Sequence, residues 1–243
     1  MSREPTDRRG ARGPRDEAAG PHDRAHRPAI GLMGGTFDPI HIGHLAIAEE
    51  ARETLALERI LFVPAGEPPH KPRNEVSPVT HRVAMVELAI AGNPAFELSR
   101  VEVDRAGPSY TVDTVEGLAA DADVTVILSA ETFAELPGWH EPERLFEAAD
   151  VAVVPREGYP APDPAWLATT FPGREGRVAY LEGPLLGVSS TDIRDRVEAG
   201  RSIRYLVPDA VGDYITANDL YRDERRRGSE ASRATTQRRT AAT

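Results

Sequence analysis

The chain contains no cysteine. That absence excludes disulfides, cysteine-ligated zinc, iron–sulfur clusters and thiol catalysis. Lysine is nearly absent too: Lys71 stands alone against 28 arginines. Heavy use of Arg, Ala, Gly and Pro reads as GC-rich coding, so most arginines need no special cause, whereas a single retained lysine invites one. No apolar run approaches the roughly 20 residues that span a bilayer, and the first residues lack the apolar stretch of a secretory signal. These absences predict a cytoplasmic protein without a membrane partner. No internal repeat is visible.

Charge is unevenly placed along the chain. The net charge is −10. Residues 1–28 hold 7 Arg against 5 acidic residues, and residues 222–243 hold 7 Arg against 3. The stretch between, 29–221, is left with 15 basic and 31 acidic residues, a net of −16. A body this acidic argues against nucleic acid as a main partner, because phosphate backbones require a basic face. The tails are rich in Arg, Gly, Pro and Asp with hardly any apolar side chain, the composition of solvated, disordered ends. The predicted organisation is a disordered tail over 1–28, one domain over 29–221 with a small helical part at its C-terminal end, and a disordered basic tail over 222–243. A homo-oligomer is compatible with this sequence.

Periodicity predicts strands at 29–33, 59–63, 96–104, 124–128, 151–154 and 177–181. It predicts helices at 43–56, from Ser77-Pro78 (N-cap and first residue) through Ala89, from Thr111, over 131–136, 141–148, 190–199 and 209–217, with residues 157–176 read as loop. Strands alternating with helices at this spacing give βαβ units and a mostly parallel sheet, an α/β fold. In such a fold the ligand crevice lies at the carboxyl ends of the strands.

The most informative stretch sits at such an end. Gly34-Gly35-Thr36-Phe37-Asp38-Pro39-Ile40-His41-Ile42-Gly43-His44 joins the first strand to the first helix. The glycines allow the backbone close to a ligand, a helix start offers N–H groups and a positive dipole end to an anion, and His41 and His44, three apart, share a helix face. That arrangement suits a polyphosphate. A second stretch, Val188-Ser189-Ser190-Thr191-Asp192-Ile193-Arg194, opens a later helix with hydroxyls and carries an arginine one turn in.

Together these resemble the paired signatures of the nucleotidylyltransferase superfamily of the (T/H)xGH type, which implies a Rossmann-like doubly wound sheet. Phe62-Val63-Pro64-Ala65-Gly66-Glu67-Pro68-Pro69-His70-Lys71-Pro72, Gly107-Pro108-Ser109-Tyr110-Thr111-Val112-Asp113-Thr114 and Gly138-Trp139-His140 are similar to stretches of the bacterial nicotinate-nucleotide adenylyltransferases. The resemblance covers about residues 29–221. It implies adenylyl transfer from ATP, with Mg²⁺ held mainly by the ATP phosphates and no protein metal site, to nicotinate mononucleotide in NAD biosynthesis. It implies His41, His44 and Arg194 as catalytic groups. Gly34, Gly35, Thr36, Phe37, Ser189, Ser190, Thr191 and Glu131 would contact ATP. His70, Lys71, Tyr110, Thr111 and Trp139 would hold the pyridine mononucleotide. One departure stands out: the family's glycine and aspartate after the fourth strand, near the nucleotide ribose, are Ser129 and Glu131 here. Other readings remain: another acceptor within the superfamily (nicotinamide mononucleotide, phosphopantetheine or a polyol phosphate), or a nucleotide-binding sensor without turnover. The tetrapeptide His-Ile-Gly-His also occurs in class I aminoacyl-tRNA synthetases, but their lysine-rich KMSKS loop has no counterpart in a chain with one lysine.

Overall fold

Alternate residues of the central strands face opposite sides of one sheet, and both sides are apolar. The computed structural model describes residues 27–68, 76–160 and 163–222. Six strands, β1 (Ala29–Gly35), β2 (Arg59–Pro64), β3 (Phe96–Leu98), β4 (Asp123–Ser129), β5 (Ala149–Val154) and β6 (Val178–Tyr180), run in the order β3-β2-β1-β4-β5-β6. Every pairing among them is parallel. Ile30, Leu32, Leu61, Val63, Val124, Val126, Leu128, Val151 and Val153 fill one face; Met33, Ile60, Phe62, Ile127, Ala152 and Val154 fill the other. Burial on both faces explains the unbroken apolar runs in the sequence.

Helices α1 (Ile42–Thr54), α2 (Val79–Ile90), α7 (Ser190–Glu198) and α8 (Asp209–Ala217) cover the Phe62 face. Helices α3 (Thr111–Leu118), α4 (Ala130–Ala134), α5 (Pro142–Ala148) and α6 (Pro164–Thr170) cover the Leu32 face. This is a Rossmann-like, doubly wound sheet. Its strand order reverses direction between β1 and β4, so the carboxyl ends of these two strands open a crevice.

Three local expectations are corrected. The strand expected over 96–104 ends at Leu98. The Ser99 N–H still reaches the Phe62 carbonyl at 2.9 Å, but the next ladder donor on β2 would belong to Pro64, which has no N–H. The loop expected over 157–176 contains α6: Asp163 accepts the Ala165 N–H at 2.8 Å and Pro164 takes the first helical position, a start signal legible in Asp-Pro itself. Finally, Pro78 rather than Ser77 is the N-cap of α2, because the Ser77 N–H is drawn to the Asp38 carboxylate at 3.0 Å.

Candidate active site

β1 delivers the first motif to the crevice. Phe37 adopts a left-handed φ of 50° and folds its buried ring back under the turn. A Cβ on Gly35 would lie 3.2 Å from that ring, so this position takes glycine for space. Asp38 is buried; its carboxylate accepts the Ser77 N–H and the Tyr221 hydroxyl, the latter at 2.6 Å. Asp38 therefore ties the turn to α2 and to the chain beyond α8. Arg82 of α2, 2% exposed, donates to the Thr36 carbonyl at 2.8 Å and to Ser77 and Gly66 carbonyls. The turn is a rigid platform.

His41 is the N-cap of α1 and its backbone N–H donates to His44 Nδ1 at 3.2 Å. Because Nδ1 accepts, neutral His44 carries its proton on Nε2 and remains a donor there. The two rings stack at 3.7 Å, and Phe37 meets the His44 ring edge-on at 5.1 Å. His41 is 7% exposed and its buried Nδ1 has no partner. Burial, then the nearby charge of Arg156, lowers the His41 pKa to about 4. Burial, then His41 itself, then Arg156 push His44 well below its ordinary value. Both rings are therefore neutral at physiological pH. The helix start is less open to anions than the sequence suggests, since the Ile42 N–H already meets the Leu206 carbonyl at 3.0 Å.

The second motif packs against the first. Ser189 caps α7 by accepting the Asp192 N–H, and Ser190 donates to the Pro39 carbonyl at 2.9 Å. Arg194 donates to the Asp38 carbonyl at 2.8 Å and to the Thr191 hydroxyl at 3.3 Å. These bonds lock the two motifs together, and Thr191 faces the crevice.

The crevice has a volume of about 620 Å³. It brings together Gly34, Gly35, Thr36, His41, His44 and Thr191 of the two phosphate-type motifs with Tyr110, Thr111, Trp139 and Glu131 in one lining. Phe37, Ser189, Ser190 and Arg194 lie behind this lining, where their bonds hold its shape. His70 and Lys71 lie outside the described residues. Tyr110 stacks on His140 at 4.2 Å. Ser109 accepts the Gly66 N–H at 2.9 Å, stitching the loop after β2 to the loop that enters α3. Beside them Glu102 is 5% exposed and accepts the Thr114 hydroxyl at 2.8 Å; burial raises its pKa. Ser129, standing where the resemblance implies glycine, turns its hydroxyl onto α4 and accepts the Thr132 N–H at 3.2 Å. Its bulk is thereby used as a helix cap.

Sequence reasoning missed Arg156. It follows β5 by two residues and lines the crevice. The signal was topological: a charged residue just past the carboxyl end of a buried parallel strand, on the same edge as the glycine turn. The Glu131 carboxylate reaches it at 2.7 Å.

With this geometry in place, comparison with known proteins is informative. The family model described as Cytidylyltransferase-like matches residues 32–196. The chain belongs to that family. A relative from Roseiflexus sp., named probable nicotinate-nucleotide adenylyltransferase, is 51% identical over 195 residues, covering 79% of this chain and 98% of the relative. A relative of the same name from Thermomicrobium roseum is 44% identical, covering 79% of this chain and 91% of its own. Among solved structures, the nicotinic acid mononucleotide adenylyltransferase of Plasmodium falciparum, complexed with NaAD, superposes with a TM-score of 0.66 at 20% identity, over 80% of this chain and 97% of that one. At that identity it shows the fold alone. The family members are nucleotidyltransferases, and so is this chain.

Proposed function

We propose that the chain transfers the adenylyl group of ATP to nicotinate mononucleotide, giving nicotinate adenine dinucleotide and pyrophosphate. One observation carries this reading: a single crevice at the β1/β4 reversal is lined both by the paired histidines and by the aromatic rings of Tyr110, Trp139 and His140. A flat, electron-poor pyridine ring suits aromatic faces. The hydroxyl and N–H at the start of α3 suit its carboxylate.

In the proposed reaction, a phosphate oxygen of the mononucleotide attacks the α-phosphorus in line. The bond from that phosphorus to the bridging oxygen breaks, and pyrophosphate leaves with the electron pair. No covalent intermediate on the protein is required, so the residues act by alignment and by stabilising developing charge. His44 Nε2–H donates to a phosphate oxygen. His41, stacked on His44 at 3.7 Å and lining the same crevice, presents its ring beside it. Thr191 adds a hydroxyl, and Arg194 holds Thr191 and the glycine turn in register. Among the described residues no three His, Cys, Asp or Glu side chains converge as a metal site, and the lining presents N–H and hydroxyl donors suited to phosphate oxygens. Mg²⁺ would then arrive on the ATP phosphates and neutralise charge on the pyrophosphate. No helix among the described residues is long and apolar enough to cross a membrane.

The test is product formation. With ATP, Mg²⁺ and nicotinate mononucleotide, mass spectrometry should detect nicotinate adenine dinucleotide, and pyrophosphate should appear in equal amount. No dinucleotide with any pyridine mononucleotide would overturn the reading and leave the sensor alternative.

A further inference from the structure

Among the described residues that line the crevice, Arg156 is the sole arginine or lysine. Arg194, the arginine that sequence singles out, has its guanidinium engaged by the Asp38 carbonyl and the Thr191 hydroxyl. Arg156 instead makes a half-exposed ion pair: its Nη1 lies 2.7 Å from Glu131 Oε2, with side-chain exposures of 40% and 29%. The pair is not accidental in its setting. Tyr159 donates an N–H to the Arg156 carbonyl at 3.0 Å, closing a tight turn that Gly158 makes possible with a φ of 83°. That turn sets the Tyr159 ring 5.9 Å beneath the Arg156 guanidinium. The Glu131 charge also raises the pKa of the Tyr159 hydroxyl beside it. Glu131 of α4 and Tyr159 of the loop after β5 thus hold one cation at the carboxyl ends of β4 and β5, close enough for its charge to be felt by both His41 and His44.

The energies favour exchange over permanence. A solvent-exposed ion pair is worth little, whereas guanidinium-to-phosphate contacts are charge-assisted and frequently bidentate. A triphosphate entering between the histidines would meet Arg156 already at the crevice wall and outcompete one carboxylate for it. We propose that Glu131 is a positioning residue: it parks Arg156 at the phosphate end of the crevice and yields it to the triphosphate of ATP. This rests on the reading of the crevice as an ATP site, and it replaces the ribose contact that the resemblance implies for Glu131. The carboxylate is turned to Arg156 and Tyr159, and its role is that of a competitor for the cation.

The two roles give opposite signs in one experiment. Calorimetry would measure the affinity of wild type, Glu131→Gln, Arg156→Gln and the double variant for a non-hydrolysable ATP analogue with Mg²⁺, and for adenosine. Glu131→Gln should bind the analogue about two- to fivefold tighter, the scale of one exposed ion pair, with adenosine affinity unchanged. In the Arg156→Gln background the Glu131→Gln gain should vanish, and Arg156→Gln alone should weaken the analogue and not adenosine. Weaker binding of both ligands by Glu131→Gln would restore the ribose contact and overturn the proposal. Unchanged affinity, or a gain that persists without Arg156, would overturn it too. Failure of wild type to bind the analogue at all would instead overturn the ATP reading beneath it.

Discussion

His41 loses solvent to the turn it caps, and His44 loses it to His41 and Phe37. The result is a stacked pair of neutral rings in which a proton on either is opposed by burial and by Arg156. Neutral donors fit the chemistry, since an N–H on Nε2 is available at neutral pH without a charge to desolvate. Two predictions belong to this scale. His44→Ala should lower turnover by about 10²- to 10³-fold, the usual cost of one transition-state donor, while circular dichroism and Tm stay close to wild type; near-normal turnover would remove His44 from the mechanism. The second concerns stability. The His41 pKa falls from 6.5 in the unfolded chain to about 4 in the folded one. The stability this contributes is present above pH 6.5 and is lost as pH falls towards the folded value, because the unfolded chain binds the proton first. The full loss for His41 is about 3 kcal/mol, and His44 acts in the same direction. Urea titrations between pH 7 and pH 4.5 should therefore show a steeper decline for wild type than for His41→Asn; parallel curves would contradict the neutral stack.

The elements differ in how openly the sequence shows them. β1, β4 and β5 were legible because both faces of the sheet are buried, which leaves runs such as Val124-Thr125-Val126-Ile127-Leu128 with few polar breaks. β3 was overread, since the alternation past Leu98 continues in the side chains after the ladder has run out of donors at Pro64. α6 was hidden in a Pro-rich stretch although Asp163-Pro164 announces it. The glycine turn and its histidines were legible because they form one contiguous motif, and the structure brings Tyr110, Thr111 and Trp139, from two further short motifs, to the same crevice. Arg156 was not, because its importance comes from where β5 ends beside β4, a fact of strand order with no local signature. The partners in the tie between α2 and the glycine turn come from the fold. Arg82, which reads in the sequence as a structural residue on the helix after the Pro-rich loop, is buried and holds three carbonyls of two loops. Arg82→Met, similar in length and apolar, leaves those carbonyls without a donor. It should cost about 3 kcal/mol in urea unfolding and raise the KM for ATP more than that for the mononucleotide, since Thr36 lies on the phosphate wall. A stability change below about 1 kcal/mol would mean that water replaces the guanidinium.

At the scale of the whole molecule, one parallel sheet places the described residues of the proposed chemistry along a single edge. The phosphate wall comes from the β1 end and the α7 start, and the pyridine wall from the α3 start and the chain after β4. The domain expected over 29–221 meets structure slightly earlier: Arg27 donates to the Ala119 and Ala122 carbonyls and pairs with Asp123 at 3.1 Å. At the other end Tyr221 reaches back to Asp38, so the last described turn braces the first motif. The most direct measurement of this account is the initial rate of pyrophosphate release from Mg²⁺ and ATP with nicotinate mononucleotide, with nicotinamide mononucleotide and with phosphopantetheine at matched concentrations. The account predicts the highest kcat/KM for the nicotinate acceptor, because hydroxyl and N–H donors at the start of α3 favour a carboxylate, and no release with phosphopantetheine. Preference for the amide, or release only with phosphopantetheine, would contradict it.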